Sequence, residues 1–459
     1  MNTFAENSIF VQSQLEKSDP GDILCIEHFC SKRQFCSTMV IKMKIDRDQY
    51  LNELLIRRNN GMIKVVTGIR RSGKSYLLLK LFHERLVEEG VPEDHILEIA
   101  LDDRRNIKLR DPDAMLSWID GKVKDRRQYY LILDEVQFLA EFSEVLNSCL
   151  HIANLDVYAT GSNSRFLSSD VLTEFRGRGD EIHIFPLSFA EYLPACGLPE
   201  RKALDDYLRY GGLPYLLSCK TEMQKTKYLE NLCREVYLKD VVERNHVQHP
   251  EEMAELLAFY ASSVGSLSSL RKLADTFKSV KGVSLSVNTI GSYSRFLEEA
   301  FLISKAVRYD IKGRKYIDSP AKYYFEDVGV RNALLHFRQV ERNHLMENVI
   351  CNELRRRGFS VDVGEVCAYE KNADGRQVRK NLEVDFVANQ GHRRYYIQSA
   401  YQIPDDAKRE QETRPLRTIR DAFRKIIVTY DDIAPYHNDD GFLILGLAEF
   451  LKDPGAMEL

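Results

Sequence analysis

The sequence has no apolar run of the roughly 20 residues that a membrane-spanning helix requires, so no helical bilayer span is expected. Its first residues, MNTFAENSIFVQSQLEKSD, lack a cationic start followed by an apolar core, so they do not read as a secretory signal. The nine cysteines are scattered and form no CxxC pair, which removes the paired spacing of a zinc site. Free thiols in a reducing cytoplasm are the plain reading, with no membrane partner. An excess of positive charge is also missing. Lys and Arg number 65 against 69 Asp and Glu, a net charge of −4. Contact with a polyanion would therefore have to come from a local patch. No internal repeat or low-complexity block is present.

What is present is an ordinary globular composition, 44% hydrophobic and 29% charged, in 459 residues. That length suggests two to four domains. Residues 1–42 carry no clear period and are expected to be a flexible N-terminal extension, with Met39 or Met43 as a natural start. MKIDRDQYLNELLIRRNN follows and reads as a helix with Leu51, Leu54 and Leu55 on one face. Short apolar runs at 63–67, 95–101, 129–134, 155–160 and 181–185 alternate with helical stretches. Buried parallel strands joined by helices make an α/β layer structure. The expected divisions are an α/β core at 43–186, a helical lid at 187–250, a winged-helix module at 251–340 and a last α/β domain at 341–459.

Between the first strand and its helix stands VVTGIRRSGKSYLLLKL, which fits G-x-x-x-x-G-K-[ST]. Glycines at 68 and 73 let the backbone curl, so that successive N–H groups and a helix N-terminus face phosphates. The cradle is Gly68, Ile69, Arg70, Arg71, Ser72, Gly73, Lys74, Ser75 and Tyr76. Lys74 is expected on the β and γ phosphates of ATP, and Ser75 on Mg²⁺. A second buried strand, YYLILD, ends in Asp134-Glu135. Asp134 is expected to orient the Mg²⁺ shell and Glu135 to act as general base on water. The next strand ends in ATGSNS, where Asn163 or Thr160 can sense the γ-phosphate, unless Ser162 or Asn163 only caps a helix. Arg176 and Arg178 are candidates for a cationic finger, in cis or to a neighbouring molecule, against the plainer reading of a solvated turn.

Together TGIRRSGKSYLL, LILDEVQ, ATGSNSRFLS, FRGRGDEIHIFPLSFAEYL, YGGLP and YLKDVVERN resemble a prokaryotic family of AAA-type P-loop ATPases. The family carries a C-terminal domain of unknown function that looks like a PD-(D/E)XK nuclease fold. The likeness runs from about Met43 to about residue 450. It implies the AAA-like sheet order, with the acidic-motif strand not adjacent in sequence to the P-loop strand. It also implies a winged helix between the ATPase and the last domain.

The residues of the middle module agree with that implication. MAELLAFYASSV, LRKLADTF and SVNTIGSYSRFLEEAFLI read as three helices, and KAVRYDIKGRKYI with KYYFED as a hairpin or wing. DNA is a candidate partner, through Asn288, Thr289, Ser292, Tyr293 and Arg295 on the third helix and through Lys312, Arg314 and Lys315 on the wing. Such modules also bind proteins, so a protein partner or self-association stays open.

In the last domain a nuclease-like metal site asks for acids on a helix and on a hairpin, then a lysine two residues after a third acid. Glu347 or Glu353 offers the helix acid, and Glu383 and Asp385 the hairpin acids. Gln398 stands where the third acid is usual and Ala400 where the lysine is usual. Only Lys380 or Lys408 from elsewhere is a candidate to restore the cation. The domain is therefore expected to have lost cleavage. Arg355, Arg356, Arg357, Arg393 and Arg394 remain candidates to hold a phosphate backbone, or form a solvated surface. Three functions follow: an ATP-driven switch or motor near DNA, an ATP-regulated Mg²⁺-dependent nuclease, or a signalling ATPase with a protein-binding C-terminal half.

Overall fold

A computed structural model describes residues 45–161, 177–371, 376–402 and 406–459. The expected N-terminal extension, and the candidates Asn163 and Arg176, lie outside the described residues. Helix α1 (Asp48–Ile56) leads into a first sheet. Its strands are β1 (Ile63–Thr67), β2 (Ile96–Ala100), β3 (Tyr129–Asp134), β4 (Leu155–Thr160) and β5 (Gly179–His183). All neighbours are parallel, in the order β2-β3-β4-β1-β5. The acidic-motif strand β3 is thus separated in space from the P-loop strand β1 by β4, as the AAA-like order implies.

Every residue of β1, β3 and β4 is buried, as expected of parallel strands covered on both faces. Successive side chains go to opposite layers. Leu131, Leu133 and Val157 join Met115 of α3 (Pro112–Lys122) and Val145 of α4 (Phe142–Cys149). On the other side Tyr130, Ile132 and Tyr158 join Leu77, Leu81 and Phe82 of the P-loop helix.

Beyond β5 the chain is helical through α5 (Phe189–Cys196) and α6 (Glu200–Tyr210). A helical stretch over residues 222–244 comes next, and after it α7 (Pro250–Ser262), α8 (Leu270–Thr276) and α9 (Val287–Glu299). Ser286 caps α9, its hydroxyl accepting from Thr289 N at 3.0 Å. The expected hairpin is β6 (Ile303–Asp310) with β7 (Lys315–Phe325), antiparallel. It does not stand apart as a wing. β6 also pairs in parallel with β8 (Ser360–Lys371), so the hairpin forms one edge of an eight-stranded sheet.

That sheet continues through β9 (Gln377–Gln390), β10 (Arg393–Ala400), β11 (Arg424–Thr429), β13 (Leu443–Gly446) and the two-residue β12 (Tyr436–His437). Helix α10 (Arg342–Arg356) packs on it, and α11 (Asp406–Thr418) follows β10. One apolar core runs from Phe189 and Leu204 through Leu256, Ile290 and Tyr324 to Leu345, Phe386 and Ile426. The divisions expected at 250 and 340 are therefore crossed by shared packing. Among the described residues, no helix is long and apolar enough to cross a membrane.

Candidate nucleotide site and a carboxylate–lysine cluster

The P-loop leaves the buried β1 at Gly68, whose φ is 135°. A Cβ there would lie 2.2 Å from the Ile184 carbonyl oxygen, so only glycine fits. Gly73, at φ 101°, opens helix α2, made of Lys74–Tyr76, a π-helical Leu77–Phe82 and His83–Glu88. The loop is braced from outside. Arg47 donates to Ser72 O at 3.2 Å and to Phe185 O at 2.7 Å, and pairs with Glu191 at 3.0 Å. Tyr237 Oη donates to Arg70 O at 2.9 Å, and Arg70 lies 3.5 Å from Asp240.

Lys74 is buried, and its ammonium donates to Gly68 O at 2.8 Å and Ile69 O at 3.1 Å. Burial lowers its pKa against the pull of Glu135, Asp134 and Glu326. Asp134, at the end of β3, accepts from Ser75 Oγ at 3.0 Å and from Thr160 Oγ1 at 2.6 Å. Burial pushes its carboxyl up to about 6, with the Thr160 hydroxyl opposing. Thr160 Oγ1 in turn accepts from Glu135 N at 2.8 Å. Glu135 is left-handed, φ 52°, and its carboxylate accepts from Gln137 Nε2.

Lys74, Ser75, Asp134, Glu135 and Thr160 are thus brought together, with Ile69 buried beneath the loop and Arg71 and Tyr76 exposed beside it. Arg178 is not with them. Its carbonyl bonds Ile63 N, at the far end of β1 from the loop. Four residues of strand, roughly 13 Å, separate that point from Thr67. A role for Arg178 on this chain's own nucleotide therefore does not fit.

The residues do fit Mg²⁺·ATP. Ser72 Oγ, inside the loop, is buried with no hydrogen-bond partner among the described residues. The Ser75 hydroxyl and the Asp134 carboxylate offer the hard oxygen donors that Mg²⁺ takes. Sequence reading missed a polar chain behind the loop. Thr67 Oγ1 donates to Glu181 at 2.8 Å and lies 3.1 Å from His183 Nδ1. The other ring nitrogen of His183 is 2.9 Å from Glu326, just past β7.

In the C-terminal sheet, Glu347 from α10 and Glu383 and Asp385 from β9 converge, as expected. They converge on an ammonium. Lys322 Nζ, from β7, is 2.8 Å from Glu347, 2.7 Å from Glu383 and 3.5 Å from Asp385. Tyr324 Oη donates to Glu347 at 2.6 Å. Burial alone would lower the Lys322 pKa, but Glu347, Asp385 and Glu383 raise it well above its ordinary range. Burial raises Glu347 to about 7 against the pull of Lys322. Among the described residues no group of three or more His, Cys, Asp or Glu is arranged to hold a metal ion.

The cation is thus neither Lys380 nor Lys408, and Lys408 pairs with Glu412 at 2.6 Å. A lysine inside the buried run Ala321–Phe325 was the available signal, since such a charge needs partners. Gln398 bonds Asp385 N and Glu412, and Ala400 is buried. Glu353 is elsewhere, paired with Arg356 and Arg357. Arg356 is buried and donates to Pro186 O, and Arg355 donates to Lys305 O. The arginine run 355–357 is thus engaged inside the protein, not offered as a phosphate-binding surface.

Comparison with known proteins agrees with this geometry. The model of an AAA domain matches residues 60–193, and that of a domain of unknown function matches 201–341. An uncharacterized protein of Haemophilus influenzae is 32% identical over 394 residues, 84% of this chain and 94% of that protein. The chain belongs to that protein's family, and its own residues 60–193 carry the AAA domain. A second relative of this AAA-domain protein, an uncharacterized protein of Methanocaldococcus jannaschii, is 27% identical over 83% of each chain. Among solved structures, the Aeropyrum pernix ORC1 protein in complex with DNA aligns with 64% of this chain and 94% of its own length. The identity is 13% and the TM-score 0.30, too loose a superposition to bear on function.

Proposed function

We propose that this AAA-domain protein binds and hydrolyses ATP as a switch or motor acting on or near DNA. One observation carries the reading. The Asp134 carboxylate is held by the hydroxyls of Ser75 and Thr160, with Lys74 in the adjoining loop and Glu135 next along the chain. Mg²⁺·ATP, when bound, supplies the anhydride to be cleaved and the cation that screens its charge. Ser75 and Asp134 would hold that cation, Lys74 would face the phosphates, and Glu135 would take the proton from the attacking water. The test is ATP turnover by the full chain with duplex DNA, single-stranded DNA or RNA added. Lys74→Ala should lose tight ATP binding, whereas Glu135→Gln should bind without turning over. Wild-type turnover in Glu135→Gln would place the base elsewhere.

DNA as partner is supported by the exposed hairpin tip, Lys312, Arg314 and Lys315, and by Asn288 and Arg295 on α9. Tyr293 faces the core instead and offers no contact. The eight-stranded sheet is read as a nuclease-like fold that has lost cleavage, because the Lys322 ammonium fills the place where its three carboxylates meet.

A further inference from the structure

The strongest unassigned feature is a cleft of about 1060 Å³ on the C-terminal sheet, walled by the hairpin tip, β8, the β9–β10 turn and the end of α11. It is at the upper end of small-ligand pockets, roughly 300–1,000 Å³. Its lining has seven lysine and arginine side chains and one carboxylate, Asp421. That carboxylate is already engaged, accepting from Tyr396 Oη at 2.6 Å and Phe423 N at 3.2 Å. In a chain of net charge −4, this is a strong local concentration of positive charge.

The cations are not all spent on the protein. Arg417 is, through Asp440 and Glu410. Lys312, Arg314 and Arg420 are exposed and make no ion pair with described residues, and Arg393 is half-exposed, donating to Gln390 with the Glu458 carboxylate 4.0 Å away. Two aromatic rings accompany them. Tyr369 is 62% exposed and Phe423 is 40% exposed, and the Arg394 guanidinium lies 5.3 Å from the Phe423 centroid.

We infer that this cleft binds a single strand of nucleic acid, its phosphates on Lys312, Arg314, Arg393 and Arg420 and its unpaired bases on Tyr369 and Phe423. A cationic groove with open aromatic faces is what tracks a strand whose bases are unstacked. A duplex keeps its bases in the stack and would leave both rings idle. An acidic peptide would use the cations and, equally, leave the rings idle. The inference rests on the reading of the chain as acting on nucleic acid, and narrows it to unpaired strands at a named place.

The experiment is an anisotropy titration of the full chain with labelled oligo-dT and oligo-rU, repeated over a salt series. Duplex DNA and polyglutamate serve as competitors. Both oligonucleotides should bind, with the tighter one identifying the natural strand. Arg393→Ala with Arg420→Ala should lower the salt slope by about 1.4, at roughly 0.7 per phosphate contact. Tyr369→Ala should weaken binding roughly five- to hundred-fold while leaving duplex binding unchanged. Melting temperatures of the variants establish that they are folded. If neither oligonucleotide binds while ATP turnover proceeds, the cleft inference is wrong and the ATPase reading stands. An unchanged slope in the folded double variant also overturns it. So does displacement by polyglutamate as effective as by unlabelled oligonucleotide.

Discussion

The imidazole of His183 stands 2.9 Å from the carboxylate of Glu326 and ties β5 of the nucleotide-binding sheet to the chain just beyond β7. Its other nitrogen reaches Thr67, the residue before the P-loop. Thr67 and Glu326 are thus joined through one ring, a polar link between the P-loop strand and the C-terminal half. Burial lowers the His183 pKa, but Glu326 and then Glu181 outweigh it and raise it above the ordinary 6.5. A raised histidine contributes stability that is fully present below its unfolded value and lost as pH rises through the folded one. Glu326→Gln should therefore lower the melting temperature most at acidic pH. The deficit should shrink as pH climbs from about 6.5 through the raised value. A deficit independent of pH would mean that the contact is held by packing alone.

The carboxyl of Asp134 behaves in the opposite sense to most acids. Burial raises it from 3.8 to about 6, so the folded chain holds its proton more tightly than the unfolded one. Its stabilising contribution is present below about 3.8 and lost as pH rises through about 6. At neutral pH the ionised group costs about 3 kcal/mol, at 1.36 kcal/mol per unit. Asp134→Asn should stabilise the nucleotide-free protein at pH 7.5 and have little effect near pH 4. The same variant should lose the extra stability that Mg²⁺·ATP confers on wild type. Thermal melts with and without nucleotide, at the two pH values, check both halves.

What was legible in the sequence follows from how local each feature is. The P-loop and the Asp134-Glu135 strand end are set by a few consecutive residues, and the structure brings them together. Glu347, Glu383 and Asp385 were also found, because one helix and one strand of the expected domain carry them. Lys322 was not, since it comes from a hairpin assigned to another module and meets Asp385 across 63 positions of chain. The run Arg355-Arg356-Arg357 reads from the sequence as a phosphate-binding or solvated surface, yet Glu353 and backbone carbonyls turn it inward. Arg178 lies away from this chain's own phosphate loop for a directional reason. In a parallel pair the start of β5 lies beside the start of β1, not beside its phosphate end.

Removing the central cation should expose what it balances. In Lys322→Ala, Glu347, Glu383 and Asp385 would face one another without a counter-charge. Breaking a buried pair in this way costs about 3–5 kcal/mol. The variant should melt well below wild type, and Mn²⁺ or Mg²⁺ should recover part of the loss by taking the vacated place. Wild type, with the ammonium there, should show no such response from this cluster. The comparison is best made without nucleotide and with Lys74→Ala in both backgrounds, so that the P-loop does not report the metal. A variant as stable as wild type would mean that the carboxylates become protonated together at little cost.

The same cluster predicts that the protein does not cut DNA. Phosphodiester hydrolysis in a nuclease of the resembled kind needs a metal held by several anionic oxygens and a separate cation beside the attacking water. Here the carboxylates are gathered, but the one cation among them in the described residues, Lys322, is paired with all three. It cannot both neutralise the acids and leave them free for a metal. The two positions where the fold usually carries a third acid and a lysine are Gln398, which bonds Asp385 N and Glu412, and the buried Ala400. Losing one preorganised electrostatic partner of a reaction typically costs about 10²–10³ in rate, and here the metal seat and the second cation are both affected. Linear, circular and branched DNA should therefore survive incubation with the purified protein and Mg²⁺ or Mn²⁺, with or without ATP. The control is Asp385→Ala. Cleavage by wild type that vanishes in that variant would show that Lys322 swings away to admit the metal, and then serves as the missing lysine.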